Sequence, residues 1–363
     1  MSVSTVPAPK KPEDTTELRR GWTTGACAAA AAASAFGALR GQGFEDPVSL
    51  RLPGGQEPAF ALAFEQLGEG WAVAGIIKDA GDDPDITHGA MVRVRVSWGA
   101  VGSGLQFVAG EGVGTVTKPG LPIEVGEASI TPGPRGQMED ALRARNDGAV
   151  PDLIVELSIP GGEAMAEKTL NPRLGVLGGL SILGTSGVVI PYSCSSWIHS
   201  IHRGIDVARA LGVGHVVGST GDTSERAAQA MLGVSDESLL DMGDFAGGLL
   251  KYIARHPVPR LTLAGGFGKL TKLAQGALDL HSSRSQVDLA FLRTLAPEDE
   301  IVWDGVDTAA QALLACQARN VPVADRVASH AQAAAQAVAG DIADCRVDVL
   351  IFDRKGMLVG RAD

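Results

Sequence analysis

The chain has 363 residues, long enough for two cores of ordinary density and too long for a single small module. Acidic residues (42) outnumber basic ones (31), giving a formal net charge of -11 that disfavours nonspecific adhesion to nucleic acid or anionic membrane, and aromatics at 4% are too sparse for a base-stacking surface. Hydrophobic residues at 45% and charged residues at 20% describe a globular protein, and its 47 glycines, with no collagen-like period, mark turns where backbone must pass close to something.

From the N-terminus, residues 1–20 are polar and proline-rich without an apolar run, so they read as a disordered tail and not as a signal peptide, and the chain is expected to remain in the cytoplasm. A first helix is expected to begin with Thr23 or Thr24 as N-cap and to run through ACAAAAAASAFGAL, whose small side chains allow close packing on a sheet. Strands are predicted at 48–52, 59–65, 71–77 and 91–97, the last alternating as MVRVRVS with Arg93 and Arg95 on one face. A short helix over 135–145 and an alternating strand over 153–159, closed by Pro160-Gly161-Gly162, complete an α+β domain with a largely antiparallel sheet, residues 21–165.

The stretch from Leu174 to His202 holds no Asp, Glu, Lys or Arg, but its glycines, hydroxyl residues and Pro191 fit a buried glycine-rich core segment better than a membrane helix. Two strand-to-helix units follow, HVVGS leading into TGDTSERAAQAML and LTLA leading into GGFGKLTKLAQGAL, each with glycine at the joint. Alanine-rich helices near 308–317 and 325–338 precede a closing hairpin near 347–359. Residues 166–363 therefore form an α/β, Rossmann-like domain with a mainly parallel sheet. Cys27, Cys194, Cys316 and Cys345 lack CxxC spacing and read as reduced thiols, so neither a disulfide framework nor a metal site is expected.

The helix-opening turns carry the sharpest local signals. GSTGDTSE, from Gly218, presents backbone N–H groups at a helix start, where a carboxylate or phosphate is favoured, although capping by Thr220, Asp222 or Thr223 explains the same residues. GGFGK, from Gly265, lacks the spacing of a phosphate loop. Asp79, Asp82, Asp83 and Asp85 crowd KDAGDDPDITHG without an EF-hand pattern, which suits an acidic turn lining a site. Lys118, Arg135, Arg173, Lys269 and Lys272 stand in apolar or glycine-rich surroundings, as points for a polyanionic ligand or as structural cations.

Read in order, GWTTGACAAAAAAS from Gly21, KDAGDDPDITHG from Lys78, GEGVGTVTKPGLPIEVGEASITPGPR from Gly110, VELSIPGGEAMAEKTLNPRLGVLGGLSILGTSGVV from Val155, GSTGDTSE from Gly218 and GFGKLTKLAQGALDLHSS from Gly266 resemble the CbiD family of cobalamin biosynthesis. The family pattern carries TGGRSE where this chain has TGDTSE, so Asp222 and Thr223 depart from it. The resemblance implies transfer of a methyl group from S-adenosylmethionine to C-1 of cobalt-precorrin-5B or a closely related corrinoid; the alternative is a non-catalytic protein that binds or scaffolds the same intermediates. Alignment and a dry pocket would suffice for an already activated methyl, which accounts for the absence of a nucleophilic triad.

Under that resemblance, Gly218, Thr220, Gly221, Ser224, Glu225, Gly265 and Gly266 are expected to hold S-adenosylmethionine near the carboxyl ends of the parallel strands. Thr24, Lys118, Arg135, Arg173, Thr185, Ser186, Lys269, Lys272, His281 and Ser282 are expected to hold the macrocycle and its carboxylate arms, with Asp79 and Asp83 as candidate catalytic groups. The expected partners are the corrinoid substrate, neighbouring enzymes of the pathway and a second copy of the chain, with no nucleic acid, membrane or protein-bound metal.

Overall fold

The computed structural model describes residues 18–297, 301–340 and 345–363. The chain divides after Ser193 into two compact units. Most of the expected N-terminal tail lies outside the described residues.

The first unit opens with β1 (Gly21–Trp22) and α1 (Thr24–Leu39), then β2 (Val48–Ser49), β3 (Ala59–Phe60), β4 (Phe64–Gly68), β5 (Trp71–Ile77), β6 (Met91–Trp98) and β7 (Leu105–Ala109). It continues with β8 (Thr115–Val116), α2 (Pro132–Ala144), β9 (Leu153–Ser158), the short α3 (Gly162–Ala166), β10 (Val176–Leu177) and β11 (Val188–Val189). The main sheet runs β4-β5-β6-β9-β7, antiparallel except where β7 lies parallel to β9.

Period-two alternation decides the faces of this sheet. Ala72, Ala74, Ile76, Val92, Val94, Val96, Val155 and Leu157 point into a core shared with α1. The other face carries Arg93 over the Phe64 ring at 4.6 Å and Arg95 over Trp71 at 4.4 Å, which places both arginines on one face as the alternation requires. Helix α1 is buried around almost its whole circumference, as a helix apolar on every side must be, and Thr23 caps it by accepting from Ala26 N at 3.2 Å.

Two expectations change. The predicted strand over 59–65 is two strands, because β3 pairs with β2 whereas β4 pairs with β5. The boundary falls at Ser193 and not at 165, because β10 pairs with β8 and β11 with β1, which ties residues 176–189 to the first unit. The uncharged stretch is thus partly two short strands, and among the described residues no helix is long and apolar enough to cross a membrane.

The second unit contains α4 (Ser195–Ala210), β12 (His215–Ser219), α5 (Asp222–Leu232), a 3-10 turn at Asp236–Ser238, β13 (Leu239–Asp241), α6 (Ala246–Ile253), β14 (Arg260–Gly266) and α7 (Phe267–Ala274). It ends with α8 (Leu289–Leu295), α9 (Ala309–Ala318), α10 (Val323–Ala339), β15 (Arg346–Phe352) and β16 (Leu358–Ala362). The strand order is β13-β12-β14-β15-β16, parallel except for the final hairpin strand β16.

Alternate residues of β12 separate two apolar layers: Val217 packs with Ala228 of α5, whereas Val216 joins the larger core with α4, α6, α7 and α10. The chain leaves β12 for β13 on one side and returns for β14 on the other. That reversal makes the carboxyl ends of β12 and β14 the topological switch point of the sheet, the place where open α/β sheets bind ligands.

Candidate functional site

In the second unit the two glycine turns face each other across this reversal. Thr220 N donates to Ala264 O at 2.9 Å, and the Thr220 side chain fills the space beside Gly265, where a Cβ would sit 2.8 Å from it. A Cβ at Gly221 or Gly266 would meet nothing within 4 Å, so both turns border open space. The helices differ electrostatically: α7 opens on Gly266 with no side-chain cap and no acidic residue in its first turn, whereas α5 has Asp222 and Glu225 in its first turn. The α7 start favours a carboxylate, while at the α5 start the Asp222 carboxylate pairs with Arg226 and the Glu225 carboxylate is buried and partnered.

The α7 start fits the carboxylate end of S-adenosylmethionine, with Gly221, Glu225 and Gly266 as the residues that would hold the donor. Ser224 Oγ is turned inward, donating to Gly221 O at 2.7 Å, and Gly218 lies against Leu249 within the sheet. Asp222, one of the departures from the family pattern, is held by Arg226 one turn later.

Both candidate lysines of this unit are already engaged. Lys269 Nζ donates to Thr220 O at 2.8 Å and lies 3.1 Å from Asp244 Oδ1. Lys272, expected to anchor a substrate arm, is buried and donates to Leu280 O at 2.8 Å, so its ammonium fastens α7 to the 279–282 loop. His281 and Ser282 are exposed on that loop, which reaches the end of β13 through Leu280 N donating to Asp244 O at 2.8 Å. Asp244 lies in GDFAGG, from Gly243, and sequence reasoning did not single it out.

In the first unit four of the quoted segments converge. Trp22 N donates to Asp79 O at 2.7 Å and Thr23 N to Gly187 O at 2.9 Å, joining GWTTG to KDAGDD and to LGTSG. Gly25 meets Pro134 at 3.0 Å for a notional Cβ, and Gly133 meets Gly184 O at 2.5 Å, which brings in TPGPRG. Thr24 is buried at the start of α1, while Thr185 and Ser186 are exposed on the facing loop. Lys118 Nζ donates to Arg173 O at 3.3 Å, so the β8–β10 pairing sets these two basic residues side by side.

Arg135, a second expected arm anchor, is used for structure. Its Nε donates to Ile130 O at 2.7 Å and its Nη2 to Glu127 at 2.8 Å, and its guanidinium lies 5.3 Å from the Phe107 ring centroid. It latches the turn that opens α2.

The two candidate catalytic carboxylates have different surroundings. Asp79 forms a two-pronged pair with Arg19 at 2.5 and 3.0 Å, and the Arg19 hydrogen bond, with help from Gly81 N–H, holds its carboxyl below the usual range. Asp83 is half-buried, and burial pushes its carboxyl up despite the hydrogen bond from Tyr192 N at 2.8 Å. Behind them, Lys78 is almost fully buried and contacts Asp85 and Thr87. Burial raises the Asp85 carboxyl, but the Lys78 ammonium and the hydrogen bonds from Lys78 and Thr87 outweigh it, leaving the pKa lowered. Among the described residues no group of three or more His, Cys, Asp or Glu side chains is arranged to hold a metal ion.

Comparison with known proteins places the sequence in a family. Residues 11–191 match the CbiD family and residues 279–363 match the CbiD C-terminal domain. A cobalt-precorrin-5B C(1)-methyltransferase of Paramagnetospirillum magneticum is 55% identical over 359 residues, covering 96% of this chain and 99% of the relative. One of Rhodospirillum rubrum is 56% identical over 349 residues, covering 94% and 97%. A crystal structure of the cobalamin biosynthesis protein cbiD from Archaeoglobus fulgidus is 22% identical, covers 84% of this chain and 85% of its own, and superposes with a TM-score of 0.37. The matched segments run through both units, and the chain belongs to the CbiD family.

Proposed function

We propose that this protein is an S-adenosylmethionine-dependent C-methyltransferase that methylates C-1 of cobalt-precorrin-5B, or a closely related corrinoid precursor, in cobalamin biosynthesis. The observation that carries the reading is identity of 55% over nearly the whole chain to a relative named for that reaction. The paired glycine turns at the strand reversal support it from the side of the donor, with an uncapped α7 start that favours a carboxylate.

When bound, S-adenosylmethionine supplies an electrophilic methyl on a sulfonium sulfur. The macrocycle gives the electron pair for the new carbon–carbon bond, and the broken sulfur–carbon bond leaves a neutral thioether. The protein's own work is binding and proton management. The α7 start holds a carboxylate, and Gly221 and Gly266 keep both turns open.

In the first unit Asp83 is the better proton acceptor of the two candidates, since burial raises its affinity for a proton whereas Arg19 lowers that of Asp79. Lys118 and Arg173 suit the substrate's carboxylate arms. The enzyme would work in the cytoplasm on a small-molecule substrate.

Incubation with methyl-labelled S-adenosylmethionine and the corrinoid precursor, read by mass spectrometry, tests the reading. Gain of one labelled methyl by the macrocycle is expected; macrocycle binding with no gain would instead support a carrier of the intermediate.

A further inference from the structure

Lys269 sits where three turns at the carboxyl ends of the parallel strands are tied together. Thr220 follows β12, Asp244 follows β13, and Lys269 follows β14 in the first turns of α7. Its Nζ donates to Thr220 O at 2.8 Å and pairs with Asp244 Oδ1 at 3.1 Å. The second contact is an ion pair without hydrogen-bond alignment, since the buried Oδ1 makes no aligned bond. The directed bond is the one to Thr220.

Successive peptide planes at the end of β12 are held by different means. The Ser219–Thr220 peptide belongs to the sheet: Ser219 O accepts from Met242 N at 2.9 Å and Gly243 N at 3.1 Å, and Thr220 N donates to Ala264 O at 2.9 Å. The next peptide, Thr220–Gly221, has left the sheet, and its carbonyl is held by the Lys269 side chain. Nothing lies within 4 Å of a Cβ built on Gly221, so this plane has no packing partner on its Gly221 side, while the Thr220 side chain packs against Gly265. A planar trans peptide points its C=O and N–H in opposite directions, so the bond that fixes Thr220 O also fixes the direction of Gly221 N–H.

We infer that Lys269 is a positioning residue: it orients the Thr220–Gly221 peptide so that the turn is ready to receive the methyl donor, and it is not an anchor for the substrate's arms. The inference rests on the reading that this turn holds S-adenosylmethionine. It assigns to a lysine with no free ammonium a role in donor affinity. A uniform contribution to binding changes KM without changing kcat.

The test compares kcat, KM for S-adenosylmethionine, the dissociation constant of S-adenosylhomocysteine by calorimetry, and the melting temperature in the full chain and its variants. Lys269→Met is expected to raise both KM and the dissociation constant about tenfold or more, the scale of one charge-assisted hydrogen bond, with kcat within about threefold. Lys269→Arg, which keeps a donor, recovers most of the affinity. Asp244→Asn, which spares the Thr220 bond, raises KM less than Lys269→Met does.

Wild-type donor affinity in folded Lys269→Met, or a loss in kcat alone, overturns the inference. So does Asp244→Asn matching Lys269→Met, since charge pairing rather than peptide orientation would then be at work. Failure of the underlying reading looks different: Gly221→Val would leave affinity unchanged, whereas Gly221→Val weakening it while Lys269→Met does not refutes the positioning role alone.

Discussion

The Asp83 carboxylate accepts a hydrogen bond from the backbone N–H of Tyr192 at 2.8 Å, although 109 positions separate the two in the chain. The contact fastens the acidic loop to the end of the segment that carries β11. It also leaves the second carboxylate oxygen of a half-buried Asp available as a proton acceptor. Asp83→Asn is expected to lower kcat about 100-fold, within the usual range for a general base, with S-adenosylmethionine binding unchanged. Asp79→Asn, in an exposed pair with Arg19, should change kcat by less than about threefold. Equal effects in steady-state assays would remove Asp83 from the catalytic role.

The pH profile gives an independent reading of the same group. Burial pushes the Asp83 carboxyl up, so activity limited by its deprotonation should rise with pH through a limb above the ordinary aspartate value of about 3.9. That limb should be missing from Asp83→Asn. A profile of kcat/KM with the same limb in both proteins would assign the titration elsewhere.

The buried Lys78–Asp85 pair should govern acid stability of the first unit. The Asp85 pKa is lowered in the fold, so its contribution is present above the unfolded value of about 3.9 and is lost as pH falls through the lower folded value. The melting temperature of wild type should therefore drop over this acidic window more steeply than that of Asp85→Asn. Lys78→Met strands the Asp85 charge and should cost about 3–5 kcal/mol at neutral pH, measured by denaturant titration.

Gly21 is required by close approach. A Cβ there would lie 2.0 Å from the backbone carbonyl carbon of Ala80, a clash that no rotamer relieves. Gly21→Ala should therefore destabilise the first unit by about 2 kcal/mol or more and displace the acidic loop. Chemical denaturation checks the first effect, and loss of kcat with retained S-adenosylmethionine binding checks the second.

Thiol labelling tests the packing of both units. Cys27, Cys316 and Cys345 are buried, and burial pushes the Cys27 thiol up to about 12. Cys194 is partly exposed. Native alkylation followed by peptide mass spectrometry should modify Cys194 first and leave Cys27 intact until unfolding.

What the sequence made legible follows from the range of each signal. MVRVRVS and LIVELS alternate strictly, so β6 and β9 and their faces were readable locally. LQFVA was not, because β7 is defined by parallel pairing with β9, nearly fifty residues later. The boundary at 165 failed for the same reason: the glycine-rich segment carries local strand-and-turn signals like those of the second unit, and only its pairing with β1 and β8 assigns it to the first.

The site divides similarly. Glycine turns at helix starts are local and were found. Whether Lys269, Lys272 and Arg135 are free depends on the Thr220, Leu280 and Ile130 carbonyls, which only the fold brings to them. Asp79 and Asp83 are four positions apart and indistinguishable in sequence; the distant Arg19 holds the Asp79 carboxyl down, whereas burial in the fold pushes the Asp83 carboxyl up against the hydrogen bond from Tyr192 N.

The central claim is that the turns following β12 and β14 hold the methyl donor. Calorimetric titration of S-adenosylmethionine into wild type, Gly221→Val and Glu225→Ala tests it most directly, with melting temperatures as a check on folding. Binding to wild type, weakened about tenfold or more in both variants, is the predicted result. Unchanged affinity in both folded variants would contradict the placement.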